Sequence, residues 1–168
     1  MSVIEIQPFE NPVFQPISGV MAFWRKINGT DSLNLINPKH SGNEKFIGLY
    51  GNVFLDQAWQ HQENVLAAIK MERSEYYGRA TNILHYVIDA NTYVIKEYPA
   101  MVGLSPRISW SPNDQFLITS ITQLPSEGNS TIVLRILNTF SGQEAFLDSE
   151  LGMSSETFIA ITKLIWLN

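Results

Sequence analysis

Apolar and polar positions alternate in short runs along this chain, and the clearest stretch is Leu104 to Ser120. Arg107-Ile108-Ser109-Trp110 alternates as a half-buried strand does, and Phe116 to Thr122 is a β-branched and aromatic run of strand length. Between them lies turn chemistry, Ser111-Pro112-Asn113-Asp114. Proline presets φ at the second turn position, while Asn and Asp bond their own backbone and tolerate the left-handed region. The stretch predicts a hairpin. The run from Ala58 to Ala68 has the same layout: Trp59 and Trp110 stand 51 residues apart, as do Leu66 and Leu117.

A second kind of segment also recurs, as Leu33 to Asn37, Tyr86 to Asp89 and Leu134 to Asn138. Each ends in Asn or Asp, and an aromatic follows eight or nine residues later, as Phe46, Tyr98 and Phe146. A period near fifty residues, built of four short strands, is the pattern of stacked β-sheet repeats. The expected organisation is a single all-β domain over 1–168 with repeats at about 1–50, 51–100 and 101–150 and a closing segment at 151–168. Ser18 to Ile27 and Ser32 to Asn37 would be neighbouring strands of the first repeat, joined through Asn28-Gly29-Thr30-Asp31, where Asn-Gly is a hairpin signal. Trp59, Leu66, Trp110 and Leu117 are the expected core of the repeat.

Here a family resemblance enters. The stretch Ile108 to Ser120 resembles the Trp-Ser-Pro-Asp-Gly hairpin of TolB-type and WD-repeat-like β-propellers, with Asn113-Asp114 where Asp-Gly is usual. Leu33 to Phe46 and Ile132 to Leu147 resemble the strand pair that follows it in a blade. The resemblance covers roughly residues 20 to 150. It implies antiparallel four-stranded blades forming a partial or oligomer-completed β-propeller, with a compact β-barrel or sandwich as the alternative. No catalytic motif comes with it.

Composition narrows the possibilities further. A chain of 168 residues is long enough for one domain with a proper core, and without cysteine it has no disulfide, thiolate metal site or cysteine nucleophile. A net charge of −5 with scattered basic residues argues against nucleic acid as a partner. Charged residues make up 16% of the chain, below the roughly 25% usual in soluble domains. Such a charge-poor surface suits a subunit packed among others, with a neutral monomer as the alternative. The segment Met1 to Pro16 carries acidic residues and three prolines and lacks the continuous apolar core of a secretion signal. Val3 to Ile6 within it is a candidate edge strand. No run reaches the roughly 18 to 20 apolar residues that span a bilayer, so the expectation is a cytoplasmic chain without membrane insertion.

Two polar loops, 70–82 and 122–130, fall at the same point of the repeat and are expected to emerge on one face. Glu72, Arg73, Glu75, Tyr76, Tyr77 and Arg79 form the densest polar group there, and Tyr with Arg is a common interface pairing. A solvated loop with its tyrosines folded back is the plainer reading of the same residues. Trp166 has no counterpart in the repeat alignment and is a candidate anchor for a neighbouring subunit. Residues 154–168 read either as a capped helix or as a fourth inner strand over 157–162.

Chemistry is sparse. His40 and His61 fall in turns and His85 at a strand start, and none has a second His or Cys at metal-ligand spacing. His61 beside Asp56 and Glu63 is the nearest approach to a metal set, with solvated turn residues as the alternative. No nucleophile elbow, phosphate loop or zinc-protease motif occurs, so catalytic residues, metal and cofactor are all expected to be none. Closed propellers typically have about four to eight blades, and three would leave open edges and faces, an association hazard. The expected function is therefore a non-catalytic protein-interaction or assembly subunit whose partner is itself or another protein, in a scaffold complex or a virus particle. The alternative is a carbohydrate- or small-molecule-binding or hydrolytic module using the two loops.

Overall fold

A computed structural model of the chain describes residues 10–27, 30–37, 44–51, 53–73, 81–123 and 131–150. These residues form twelve strands and no helix, arranged as three four-stranded antiparallel sheets in tandem. The first contains β1 (Glu10–Phe14), β2 (Met21–Ile27), β3 (Thr30–Ile36) and β4 (Glu44–Gly51). The second contains β5 (Val53–Trp59), β6 (Val65–Arg73), β7 (Thr81–Asp89) and β8 (Ile95–Val102). The third contains β9 (Leu104–Trp110), β10 (Phe116–Gln123), β11 (Thr131–Asn138) and β12 (Glu144–Glu150). Each sheet runs in chain order, strand beside strand, so none is closed into a barrel.

The register explains why the hairpins recur. Val13 pairs with Ala22, Ala58 with Ala67 and Ser109 with Ile118, so the partner always lies nine residues on. The next pairs are Phe14 with Met21, Trp59 with Leu66 and Trp110 with Leu117. The first sheet therefore has a full copy of the hairpin, with Phe14 where the other two carry tryptophan. That strand escapes a sequence reading because Pro12 lies inside it and the register shifts between Glu10 and Val13, which breaks the alternation. Val3 to Ile6 lies outside the described residues.

Alternation along β6 divides the core in two. Leu66 and Ala68 face the first sheet, packing with Val20, Ala22, Trp24, Leu33, Leu35 and Trp59. Ala67 and Ile69 point the other way, into a cluster with Ile108, Trp110, Leu117, Ile121, Val133 and Leu137 of the third sheet. The second sheet is covered on both faces, which is why Val65 to Ile69 reads as a continuous apolar run. Trp59, Leu66, Trp110 and Leu117 are all buried, with Trp110 only 2% exposed.

Directional bonds reinforce the stacking. The Trp59 indole N–H donates to the carbonyl of Val13 at 3.1 Å, and that of Trp110 to the carbonyl of Ala58 at 3.0 Å. Both acceptors occupy the same register position, so one contact is made twice. The Asp or Asn that ends the third strand of the second and third sheets also has a job. Asp89 Oδ1 accepts the N–H groups of Asn91 and Thr92, and Asn138 Oδ1 those of Phe140 and Ser141. These Asx turns reverse the chain with a left-handed residue at Tyr93 and Gly142. Passage from β8 to β9 takes a single residue, Gly103, where an added Cβ would stand 2.9 Å from the Thr122 carbonyl oxygen.

Trp110→Ala removes a fully packed indole and should cost about 3 to 5 kcal/mol in a denaturant melt. Trp110→Phe keeps most of the ring but leaves the Ala58 carbonyl without its donor, so about 1 to 3 kcal/mol is expected. A loss below about 0.5 kcal/mol in both variants, the range of ordinary surface changes, would remove Trp110 from the core.

Candidate functional site

Between the second and third sheets lies a cleft of about 460 Å³, lined by Pro99 to Val102 of β8, Gln123 of β10, Val133 and Arg135 of β11, and Glu144 and Phe146 of β12. Its lining contains an unusual side chain, a buried arginine. Arg135 falls on the inward face of β11, between Val133 and Leu137, and is 1% exposed. A buried guanidinium must be paired and hydrogen-bonded to be tolerated. Its Nη2 meets the Glu144 carboxylate, and its Nη1 donates to the Pro99 carbonyl at 2.9 Å and lies 3.3 Å from His85 Nδ1.

Strand register makes this cluster possible. Arg135 pairs with Phe146, which sets Glu144 diagonally across from it on the same face of the sheet. His85 pairs with Tyr98, one residue before the carbonyl of Pro99. His85 sits in the middle of β7, with 1% exposure, rather than at a strand start. Burial pushes its pKa down to about 3, and the Arg135 guanidinium pushes in the same direction. A neutral ring accepting from Arg135 at Nδ1 carries its proton on Nε2, and that atom, like Arg135 Nε, is buried without a partner.

The cleft presents the Glu144 carboxylate and the Gln123 amide against walls of Ala100, Met101, Val102, Val133 and Phe146. Among the described residues its lining contains no hydroxyl, lysine or histidine, so what these residues offer is a binding surface for an apolar body carrying a hydrogen-bond donor or positive charge. Gln123 also donates to the Val102 carbonyl, tying the cleft's rim to the end of β8.

A second constellation joins the turns of neighbouring sheets. The Asp114 carboxylate accepts the backbone N–H groups of His61 and Gln62 and lies 2.8 Å from His61 Nδ1. Gln60 Nε2 donates to the Asp114 carbonyl. Asp114 holds a left-handed φ of 56°, the conformation that suits glycine, and its side chain caps the preceding sheet's turn from there. At the other junction Ser18 Oγ donates to Asn64 Oδ1 at 2.5 Å and Gln15 Nε2 to the Glu63 carbonyl. His61 is thus engaged with Asp114 rather than with Asp56 and Glu63, and the described residues contain no group of three metal-binding side chains. Asp56 instead accepts the Ile108 N–H across the second interface. Its pKa is raised by burial, a shift that hydrogen bonds from Ile108 and Gln57 and the charge of Arg107 reduce without reversing.

The two expected loops are shorter than their polarity suggests. Glu72 pairs with Asn82 and Arg73 with Thr81, so both residues belong to β6, and Glu72 is bonded to Lys70 at 3.0 Å. Polar residues continue the ladder because backbone groups alone make it. Glu75, Tyr76, Tyr77, Arg79 and Trp166 lie outside the described residues, as do 124–130 of the second loop and the helix-or-strand question at 154–168. Arg135 and Glu144 went unnoticed in the sequence, although an arginine at an inward position of an apolar strand is the signal that finds them. Among known proteins, the chain matches no family model and no curated sequence. No helix among the described residues is long and apolar enough to cross a membrane.

The pH dependence of stability reports on His85. Its folded pKa lies below the unfolded value of 6.5, so its contribution is complete above pH 6.5 and is lost as pH falls toward 3. In that window the unfolded chain binds a proton that the folded chain refuses, at about 1 kcal/mol per pH unit. Asp56 acts oppositely, because protonating a buried carboxylate relieves its desolvation. His85→Gln should therefore flatten the acid limb between pH 6 and pH 4 in urea melts. Parallel curves for wild type and variant would mean that His85 takes up its proton equally in both states.

Proposed function

We propose that the chain is a non-catalytic assembly subunit, built from propeller-like blades, whose partner is a second copy or another protein. The observation that carries this reading is the unequal covering of the three sheets. The second sheet has an apolar neighbour on each face. On the third sheet, Ile118, Leu134 and Ile136 lie on the face turned away from that core and are half-buried, and Leu147, opposite Leu134, is 55% exposed. No described strand outside its own sheet packs there to a comparable extent. Apolar sheet faces left to water are association sites. The low charge of the chain agrees, since few ionised groups stand in the way of burial. Placement in a scaffold complex or a virus particle, inside the cytoplasm, belongs to the same proposal.

A second reading rests on the cleft. An open recess with apolar walls and the Glu144–Arg135 ion pair in its lining fits a small ligand or a peptide side chain. Its chemistry sits on β8, β11 and β12 rather than on the loops 70–82 and 122–130.

Light scattering of the purified chain across a dilution series tests the assembly reading. A dimer or larger closed species is expected, shifting toward the 19.0 kDa protomer in Leu147→Lys. The melting behaviour of that variant should stay within about 0.5 kcal/mol of wild type, as for surface substitutions. A protomer mass for the wild type at every concentration would overturn the reading and leave the cleft as the site to pursue.

A further inference from the structure

The first strands of the three sheets end in turns of one length. Gln15, Gln60 and Ser111 each donate a backbone N–H to the carbonyl five residues on, at Val20, Val65 and Phe116. Ser18, Glu63 and Asp114 therefore hold one position, three residues further than Gln15, Gln60 and Ser111. Between the second and third sheets that position is put to use, since the Asp114 carboxylate accepts the N–H groups of His61 and Gln62 in the turn before it. Between the first and second sheets it is not. Pro16 stands where His61 does and has no N–H to give. The Ile17 N–H, counterpart of that of Gln62, goes to Gln15 Oε1 at 2.7 Å. Glu63 has no turn left to cap, and the carboxylate of this exposed residue has no partner among the described residues.

Glu63 lines a recess of about 450 Å³ where the β1–β2, β5–β6 and β7–β8 turns meet. A chain of hydrogen bonds joins the three turns: Ser18 Oγ donates to Asn64 Oδ1 at 2.5 Å, and Asn64 Nδ2 to Asn91 Oδ1 at 2.9 Å. The oxygen of Asn91 is thereby engaged, and its Nδ2 is left to donate. The Gln62 amide, also in the lining, has neither end bonded among the described residues. The recess thus offers a fixed donor beside an ionised acceptor. Among the described residues its lining holds no lysine or arginine, so an anion finds no countercharge there and meets Glu63. Its apolar surface is that of Ile17, 70% exposed, which is too little to hold an apolar ligand. Hydroxyl groups, which donate and accept at once, answer both kinds of partner. We propose that this recess binds a neutral saccharide, with Glu63 accepting from one hydroxyl, Asn91 donating to its neighbour, and Ile17 covering part of the sugar's C–H surface. The inference goes beyond the assembly reading and uses no residue of the cleft beside Arg135, so the failure of either leaves it standing.

The test uses the full chain, ¹⁵N-labelled, titrated into the millimolar range with glucose, galactose, mannose and N-acetylglucosamine in turn. The side-chain amide signals of Gln62, Asn64 and Asn91 should shift saturably with at least one of the four, while that of Gln123 in the cleft stays in place. Glu63→Ala and Asn91→Ala should each weaken that binding roughly tenfold, the loss expected when a hydrogen bond to a charged or fixed group is removed. Both residues are exposed, so the urea midpoints of the variants should match wild type. Four sugars without a saturable shift would leave the recess to water and overturn the proposal. Shifts confined to Gln123, or undiminished binding in both variants, would overturn it by placing the sugar elsewhere. Methylammonium chloride is the competing probe: saturation by this cation, with none by the sugars, would make Glu63 a simple cation contact and overturn the saccharide.

Discussion

The structure depends on a repeated contact in which a tryptophan indole at the end of one sheet's first strand reaches the backbone carbonyl of the sheet before it. Apolar burial alone would hold the sheets together at many angles, since it is non-directional. A hydrogen bond from a rigid, fully packed ring to a carbonyl fixed in the ladder selects one offset. The two bonds, at Val13 and Ala58, fall in equivalent register. Equal offsets between successive sheets follow, and with them the division of β6 into residues that serve one core and residues that serve the other.

Polar contacts at the ends and the middle of the interfaces make the same choice. Asp114 can cap the turn of the second sheet only because its own turn adopts a left-handed residue, and Asp56 can accept the Ile108 N–H only because β5 bulges beside it. Arg135 spans the second interface from the inside, bonding β8 through Pro99 while held by Glu144 in its own sheet. A buried charge held this way constrains alignment at some cost in desolvation. The cost is visible in His85, kept neutral beneath it, and in the two nitrogens left without partners.

Seen together, the three sheets are graded in how completely they are covered. The middle sheet is an interior layer, and the third has an outward face with half-buried isoleucines and an exposed leucine. Charge is sparse across the chain, and the cleft beside Arg135 opens at the junction where β8 ends.

Strand identity, the fifty-residue period and the core tryptophans were determined by sequence, because strand pairing writes a period of two into side-chain chemistry and turns require particular residues. Asp89, Asn138 and the Trp110 hairpin are examples in which the local chemistry is sufficient. Pro12 and a bulge hid β1, and polar residues hid the last turns of the β6–β7 and β10–β11 ladders, where backbone pairing does not depend on the side chain. Only tertiary structure decided which face of β6 meets which neighbour and that Asp114 caps a turn in another sheet. It alone brought Arg135, Glu144, His85 and Pro99 together, since their meeting depends on the offset between two sheets and on register across three strands. Neither quantity is a property of any local stretch of chain.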